Sequence, residues 1–470
     1  MKLISIMLSL SIFVSAQKRP FPQNITYPYG FIPKTIDSDW LKSEYERWKS
    51  NSLVTCNDSE VYVNTDDGGK VEAVGFGMLI FAYMGDRENF NKLYNFYKTN
   101  CHSNAGDMMG WIGKCGGNTS CSASDGDVDV AFSLIIASWQ WPGGGYIEKA
   151  KTVITNLKKV VTPCSNVLAL HMGMIGTTVY NGCNEVDISY YNPAAFREFA
   201  KVIGNTEDST MWVKLADDTY TILNAGANAT TGLVADRQSV SGNPNGMYAY
   251  DACRTPWRIT LDYLWNGNEK AHAWCKKVSD FAYNAGPDNI TDGYQLSGAS
   301  NNGYHNMAFT GGFAVAAMAN SQAIADAFGT AVKKLKDTHW FPLTLTPCYL
   351  LTLTGNQWRQ DSTISIKNIS SQASENSIQW SFTGNRRLSI HGLIPGNSFS
   401  LVSLSGRLLK NKIIKTASSS VEILLSINSC AILTVRDNNG TILKNRDCFA
   451  LMKFLDIVSD VHHLFFNIRK

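Results

Sequence analysis

Charge of either sign is scarce in this chain. Its 470 residues carry 42 Lys and Arg against 39 Asp and Glu, a formal balance of +3, and charged residues make up only 17%. So neutral a chain has no basic field with which to gather nucleic acid or an anionic membrane, and both are excluded as partners. Long apolar runs are missing as well. The first, Leu3 to Val14, is too short to span a bilayer, and no later stretch reaches the length needed. With Lys2 before it and Val14-Ser15-Ala16 at its end, it reads as a secretory signal peptide over residues 1–16. The C-x-x-C pair is absent too, which removes the usual spacing of a structural zinc site. There are nevertheless eleven cysteines, a number that fits an oxidising compartment and a secreted or cell-surface protein. Cys115/Cys121 and Cys164/Cys183 are near enough in sequence for local bridges, and the odd count leaves at least one thiol free or intermolecular.

Aromatic residues are plentiful, at 11% with 12 Trp and 19 Tyr. Flat rings serve sugar-binding clefts and large aromatic cores equally well. From about residue 36 to about residue 350 the apolar residues recur at three-four spacing, with Gly, Pro and Asn as punctuation. The expected helices are 36–48, 72–83, 87–98, 128–139, 146–157, 193–203, 210–224, 256–265, 269–284 and 313–327. Paired helices in such number, with acids at their starts, point to a ring of helix pairs, an (α/α)-barrel, although no clean repeat period is visible. Residues 17–354 are taken as this domain. The polar, Ser-rich stretch 355–375 reads as a linker. Beyond it, 377–382, 387–390, 398–404 and 431–435 alternate at period two, which marks a small all-β module over 376–450. Its role is open between cell-surface sorting and carbohydrate binding. Residues 451–470 fit neither part.

Three acidic stretches carry the chemistry. In Lys70-Val71-Glu72-Ala73-Val74-Gly75-Phe76-Gly77-Met78 an acid stands among apolar and small residues. Such a setting desolvates a carboxyl and raises its pKa toward that of a general acid. In Ala123-Ser124-Asp125-Gly126-Asp127-Val128-Asp129-Val130-Ala131 three carboxylates at spacing two precede an apolar helical run, so Ser124 or Asp125 is expected to cap a helix. Taken locally this is a surface cap or a calcium loop, and calcium is the weaker reading because the placed Gly and trailing Glu of an EF-hand are missing. In Tyr248-Ala249-Tyr250-Asp251-Ala252-Cys253-Arg254-Thr255-Pro256-Trp257-Arg258 an Asp lies beside an Arg that would keep it ionised, just before a Pro that starts a helix.

In order and spacing these stretches resemble the family 8 glycoside hydrolases. The family's S-E-G-x-G-Y-G-M run is matched by Val71 to Met78, with Val71 for Ser, Ala73 for Gly and Phe76 for Tyr. Its A-[ST]-D-[AG]-D-x-x-[IM]-A signature is matched by Ala123 to Ala131, with Val130 for Ile or Met. Tyr250 to Arg258 matches Y-D-A-x-R-x-P-W-R in full, and Ser189 to Phe196 looks like P-S-Y-F-x-P-A, with Ile188 for the leading Pro.

The resemblance implies an (α/α)6 barrel that cuts β-1,4-linked glycans with inversion and needs no metal or organic cofactor. Glu72 takes the place of the general acid, Asp251 that of the general base, and Asp125 that of the carboxylate holding the sugar at the point of cleavage. Tyr190, Tyr250 and Arg254 would shape that subsite, with Trp111 and Trp257 as aromatic platforms. The expected substrate is cellulose or mixed-linkage glucan, with xylan as the alternative, and chitosan cleavage or glycan binding without turnover behind them. The chain is expected to act as a monomer.

Overall fold

The computed structural model describes residues 17–301 and 303–361 and seven strands between 379 and 448. The expected signal peptide and the tail 451–470 lie outside the described residues. The chain divides into two compact units, one up to Lys367 and one from Asn368.

The described part of the first unit holds twelve α-helices: α1 (Ser38–Ser52), α2 (Val71–Met84), α3 (Arg87–Thr99), α4 (Ser124–Gln140), α5 (Tyr146–Leu157), α6 (Pro193–Val202), α7 (Thr206–Gly226), α8 (Thr255–Asn266), α9 (Glu269–Ala285), α10 (Met307–Ala317), α11 (Gln322–Val332) and α12 (Trp340–Leu353). They form two rings. The even-numbered helices touch in sequence and close through α12 against α2; each odd-numbered helix packs outside one of them, α1 on α12, α3 on α2, and so on round to α11 on α10. Composition explains the sorting. In α10 and α12 nearly every side chain is buried, as an inner helix with neighbours all round requires. Outer α3 buries only Phe90, Leu93, Tyr94, Phe96 and Tyr97, a single stripe. The architecture is the expected (α/α)6 barrel. Because the chain alternates between rings, the inner helices all start at one end, and the loops entering them make one face. No helix among the described residues is long and apolar enough to cross a membrane.

Several expectations need correction. The run 313–327 is two helices, since α10 ends at Ala317 and Ser321 caps α11 by accepting from the Ile324 amide. Helix α12 was not expected. It has no polar face to give a period, and it carries Pro347 inside, a residue that removes a backbone donor from a helix interior. The linker does not begin at 355. Trp358 is fully buried, edge-on to Tyr83, and Gln357 accepts from the Trp257 indole and the Thr352 hydroxyl, so the folded domain runs on to Asp361. Cys164–Cys183 forms as expected, but Cys115 bonds to Cys56 and Cys121 is a free thiol. Cys121 instead forms a β-bridge with Ile175, which leaves Cys115 to face the hairpin of Leu53–Asn57 and Glu60–Val63.

The Cys56–Cys115 bond closes a loop of sequence separation 59. Such a crosslink restricts the unfolded chain, so the Cys56→Ala/Cys115→Ala variant should lose about 2–4 kcal/mol of stability. Urea unfolding monitored by tryptophan fluorescence measures this; an unchanged midpoint would show that the bond contributes nothing.

The described residues of the second unit are all in β-strands. Gln379–Thr383, Arg387–His391 and Ser420–Leu424 form one antiparallel sheet, and Leu408–Ile413, Ser398–Ser403, Ala431–Arg436 and Ile442–Cys448 another.

Candidate active site

Arg254 organises the face where the inner helices begin. It ends a short 3-10 turn leading into α8 and is only 1% exposed. Its Nη1 lies 2.7 Å from Glu72 Oε2 and 2.6 Å from Asp125 Oδ2, and its Nη2 lies 3.1 Å from Asp251 Oδ1 and 3.8 Å from Asp187 Oδ2. Four carboxyl groups from four parts of the chain therefore converge on one guanidinium. Glu72 and Asp125 stand in the first turns of α2 and α4, where the helix dipole favours negative charge.

Two glycines make the convergence possible. A Cβ on Gly126 would come within 2.3 Å of the Val71 carbonyl, and one on Gly75 within 2.7 Å of Asp129 Cβ. Only bare backbone lets α2 and α4 approach this closely, and their approach sets Glu72 beside Asp125.

The acids differ in setting. The Glu72 side chain is 17% exposed, and burial pushes its pKa up to about 7; Arg254 opposes that rise, while Asp125 and Asp251 add to it. Burial also raises Asp125, against the pull of Arg254. Asp251 is the open member, its side chain 35% exposed. Glu72 Oε2 and Asp251 Oδ1 take the two ends of one guanidinium fork. With the fork about 2.3 Å wide, those oxygens can be no more than about 8 Å apart. The backbone around Asp251 is pinned from within, since Asp236 Oδ1 accepts from the amides of Ala249 and Ala252 at 3.0 and 2.8 Å.

The run Asp125-Asp127-Asp129 is neither a cap nor a calcium loop. Ala123 is the N-cap of α4, and the Ser124 hydroxyl donates to the His171 carbonyl. Residues two apart on a helix point away from each other, and here each carboxylate has its own partner. Asp125 meets Arg254, Asp127 accepts from Tyr97 Oη at 2.6 Å and from the Met109 amide, and Asp129 pairs with Arg258.

Of the expected aromatic residues, Tyr190 lies at the site, with Arg254 5.5 Å from its ring centroid. Tyr250 is exposed beside Asp251, and its hydroxyl donates to Asp292. Trp111 is 43% exposed, and its carbonyl accepts from the Val71 amide at the start of α2. Trp257 is no platform. It is buried between Phe76 and Tyr349 with the Arg258 guanidinium 4.4 Å from its centroid, because its position in the first turn of α8 turns it into the barrel.

Sequence reasoning missed three features. Asp187 is buried; its Oδ1 accepts from the Ser189 amide, and its pKa is pushed well up by burial and by Asp251. An Asp-x-Ser turn signal just ahead of Tyr190 could have disclosed it. Arg237 reaches Asp251 at 4.0 Å from a short hairpin. Lys70, two residues before Glu72, lies with its Nζ 5.9 Å from the Trp111 ring and 5.1 Å from that of Trp340, and no local pattern marks it.

A family model described as "Glycosyl hydrolases family 8" matches residues 20–351. The "Endoglucanase 2" of Ruminiclostridium josui is 34% identical over 381 residues, covering 75% of this chain and 80% of the relative. The "Beta-glucanase" of Niallia circulans is 28% identical over 394 residues, covering 75% and 94%. Among solved structures, a "Beta-1,3-1,4-glucanase" from Paenibacillus sp.X4 superposes with a TM-score of 0.67 at 28% identity, covering 73% of this chain and all of that one.

Proposed function

The chain belongs to glycosyl hydrolase family 8, and we propose that it is an endo-acting β-glucanase that cleaves β-1,4 bonds of cellulose or mixed-linkage glucan with inversion. The observation that carries this reading is the sharing of Arg254 by Glu72, Asp125 and Asp251. Glu72 acts as the general acid. Burial keeps its proton in place near neutrality, ready for the leaving glycosidic oxygen. Asp251, the solvent-open carboxylate, is the general base and draws a proton from the attacking water. Inversion needs room for that water, with carboxyls about 6.5–9.5 Å apart; the ceiling set by the Arg254 fork is compatible with this. Asp125 holds the hydroxyls of the sugar at the point of cleavage as its ring flattens toward an oxocarbenium ion. Arg254 keeps the three carboxyls aligned and balances part of their charge. Tyr190 shapes the subsite beneath the cleaved bond, and Tyr250 and Trp111 offer exposed rings to neighbouring sugars.

The two disulfides support work in an oxidising compartment, so we place the protein outside the cytosol, secreted or at the cell surface. One barrel supplies every group named, and the enzyme acts as a monomer.

Reducing-sugar release from barley mixed-linkage glucan should exceed that from xylan by at least ~10-fold, the scale on which a pocket distinguishes one small substituent. Proton NMR of the first products should show the α-anomer at the new reducing end. Faster xylan cleavage would change the substrate assignment, and an initial β-anomer would rule out inversion.

A further inference from the structure

The open side of Asp251 faces a second guanidinium, that of Arg237. Four carboxyls meet at Arg254, so the site is short of positive charge, and Arg237 adds to it from the solvent side. The chain on both sides of Arg237 is tied down. Asp236 before it accepts from the amides of Ala249 and Ala252, and Gln238 after it is buried, with its Nε2 donating to the Ile222 carbonyl at 2.7 Å. Gln238 also exchanges backbone hydrogen bonds with Val186 at 2.7 and 3.0 Å, which lays the hairpin alongside Glu185 and Asp187.

The Arg237 side chain itself reaches outward, 44% exposed, and is bracketed by two acids. Its Nη1 stands 3.7 Å from Glu185 Oε1 and its Nη2 stands 4.0 Å from Asp251 Oδ2. Asn245, opposite Arg237 in the hairpin, and Asn181 donate to Glu185 at 2.8 and 2.9 Å and hold that acid in place. The two oxygens of Asp251 are thereby divided. Oδ1 takes Arg254 Nη2 at 3.1 Å, and Oδ2 is left to receive a proton. A separation of 4.0 Å is too long for a direct N–H···O bond. It is the span of one water that accepts from Nη2 and donates to Oδ2, at about 2.8 Å from each. Such a water keeps one lone pair for attack. Arginine suits the position, because it donates in a fixed direction and does not release its proton, so it never competes with Asp251 as base.

We propose that Arg237 is a further catalytic residue, which holds the attacking water against Asp251 Oδ2. The proposal rests on the reading of the chain as an inverting β-glucanase. As the water oxygen bonds to C1, its proton passes to Asp251 Oδ2. The bond from C1 to the leaving oxygen breaks, and that oxygen takes the proton of Glu72. Arg237 neither gives nor takes a proton; it fixes the direction from which the water comes. Removing it is felt in the transition state and not in the binding of substrate.

Arg237→Gln should lower kcat on mixed-linkage glucan by ~10–100-fold with KM unchanged, the scale of a misplaced reactant. The side chain is exposed, so the substitution leaves the core untouched. Affinity for a thio-linked cellopentaose, read by titration calorimetry, should keep its wild-type value, because that ligand fills the groove and cannot be hydrolysed. An aryl cellobioside with an acidic leaving phenol still needs the water, so its kcat should fall by the same factor as that of the glucan. Wild-type kcat in Arg237→Gln would overturn the proposal. So would a loss that appears in KM, in the affinity for the thio-linked sugar, or on the glucan alone. The anomer first released by the wild type reports on inversion separately. An initial β-anomer overturns the reading and the proposal with it, whereas an α-anomer together with wild-type kcat in Arg237→Gln overturns the proposal alone.

Discussion

Glu72→Gln should lower kcat on mixed-linkage glucan by at least ~10³-fold, within the range a general acid contributes, and leave the unfolding midpoint unchanged. Gln keeps the shape of Glu and an oxygen that can accept from Arg254 Nη1, the contact now made at 2.7 Å. It removes only the transferable proton. A glycosidic oxygen leaves poorly unless protonated as the bond breaks, so the loss falls on kcat. An aryl cellobioside with an acidic leaving phenol needs little such help, and its cleavage should fall far less than that of the glucan. The pH dependence follows with a definite sign. Glu72 must be protonated to act, and burial raises it to about 7. Wild-type activity should therefore fall as pH rises through about 7, and the residual activity of Glu72→Gln should lack that limb. A variant with wild-type turnover on glucan would remove Glu72 from the role of acid.

The residues of this site were legible wherever the chemistry required particular neighbours in the chain. Asp251 and Arg254 share one turn, and Asp125 stands at the mouth of an apolar helix, so type and spacing made them candidates, and the resemblance to the family 8 glycoside hydrolases gave them their roles. Their convergence was not legible. It depends on α2 and α4 closing at Gly75 and Gly126 and on Arg254 spanning residues more than a hundred positions apart. Trp257 was misjudged because an aromatic in the first turn of a helix can face the groove or the core, and only the ring of six inner helices decides which. Helix α12 stayed hidden for the opposite reason: where every face is buried, periodicity carries no signal. Cys115 found Cys56 rather than its neighbour Cys121 because the intervening strands, not the chain distance, set which thiols meet.

One helical turn below the site the same chemistry recurs, and there it serves stability. Asp129 follows Asp125 by four residues on α4, and Arg258 in the first turn of α8 follows Arg254, the cap of that helix, by four, so the two helices present two Asp–Arg rungs on facing sides. The lower rung is closed to solvent, with Arg258 Nη2 2.6 Å from Asp129 Oδ2 and a second bond from Nη1. The guanidinium also lies against the rings of Trp257 and Phe76. Asp129→Ala would leave a cation that cannot shed its proton inside an apolar barrel. Removing one partner of a buried pair costs about 3–5 kcal/mol, a large part of a domain's net stability. The urea midpoint of Asp129→Ala should fall accordingly with an unchanged slope. Replacing both partners, as Asp129→Leu/Arg258→Met, leaves no stranded charge and should recover most of the loss, since apolar substitutes of similar volume often match a buried ion pair. The double variant separates an unpaired charge from lost packing: if it is no more stable than Asp129→Ala, the pair holds the ring together through its shape rather than its charge. A loss below ~1 kcal/mol in Asp129→Ala would mean that water reaches Arg258, and the lower rung would then be no part of what keeps α4 and α8 in register beneath the catalytic groups.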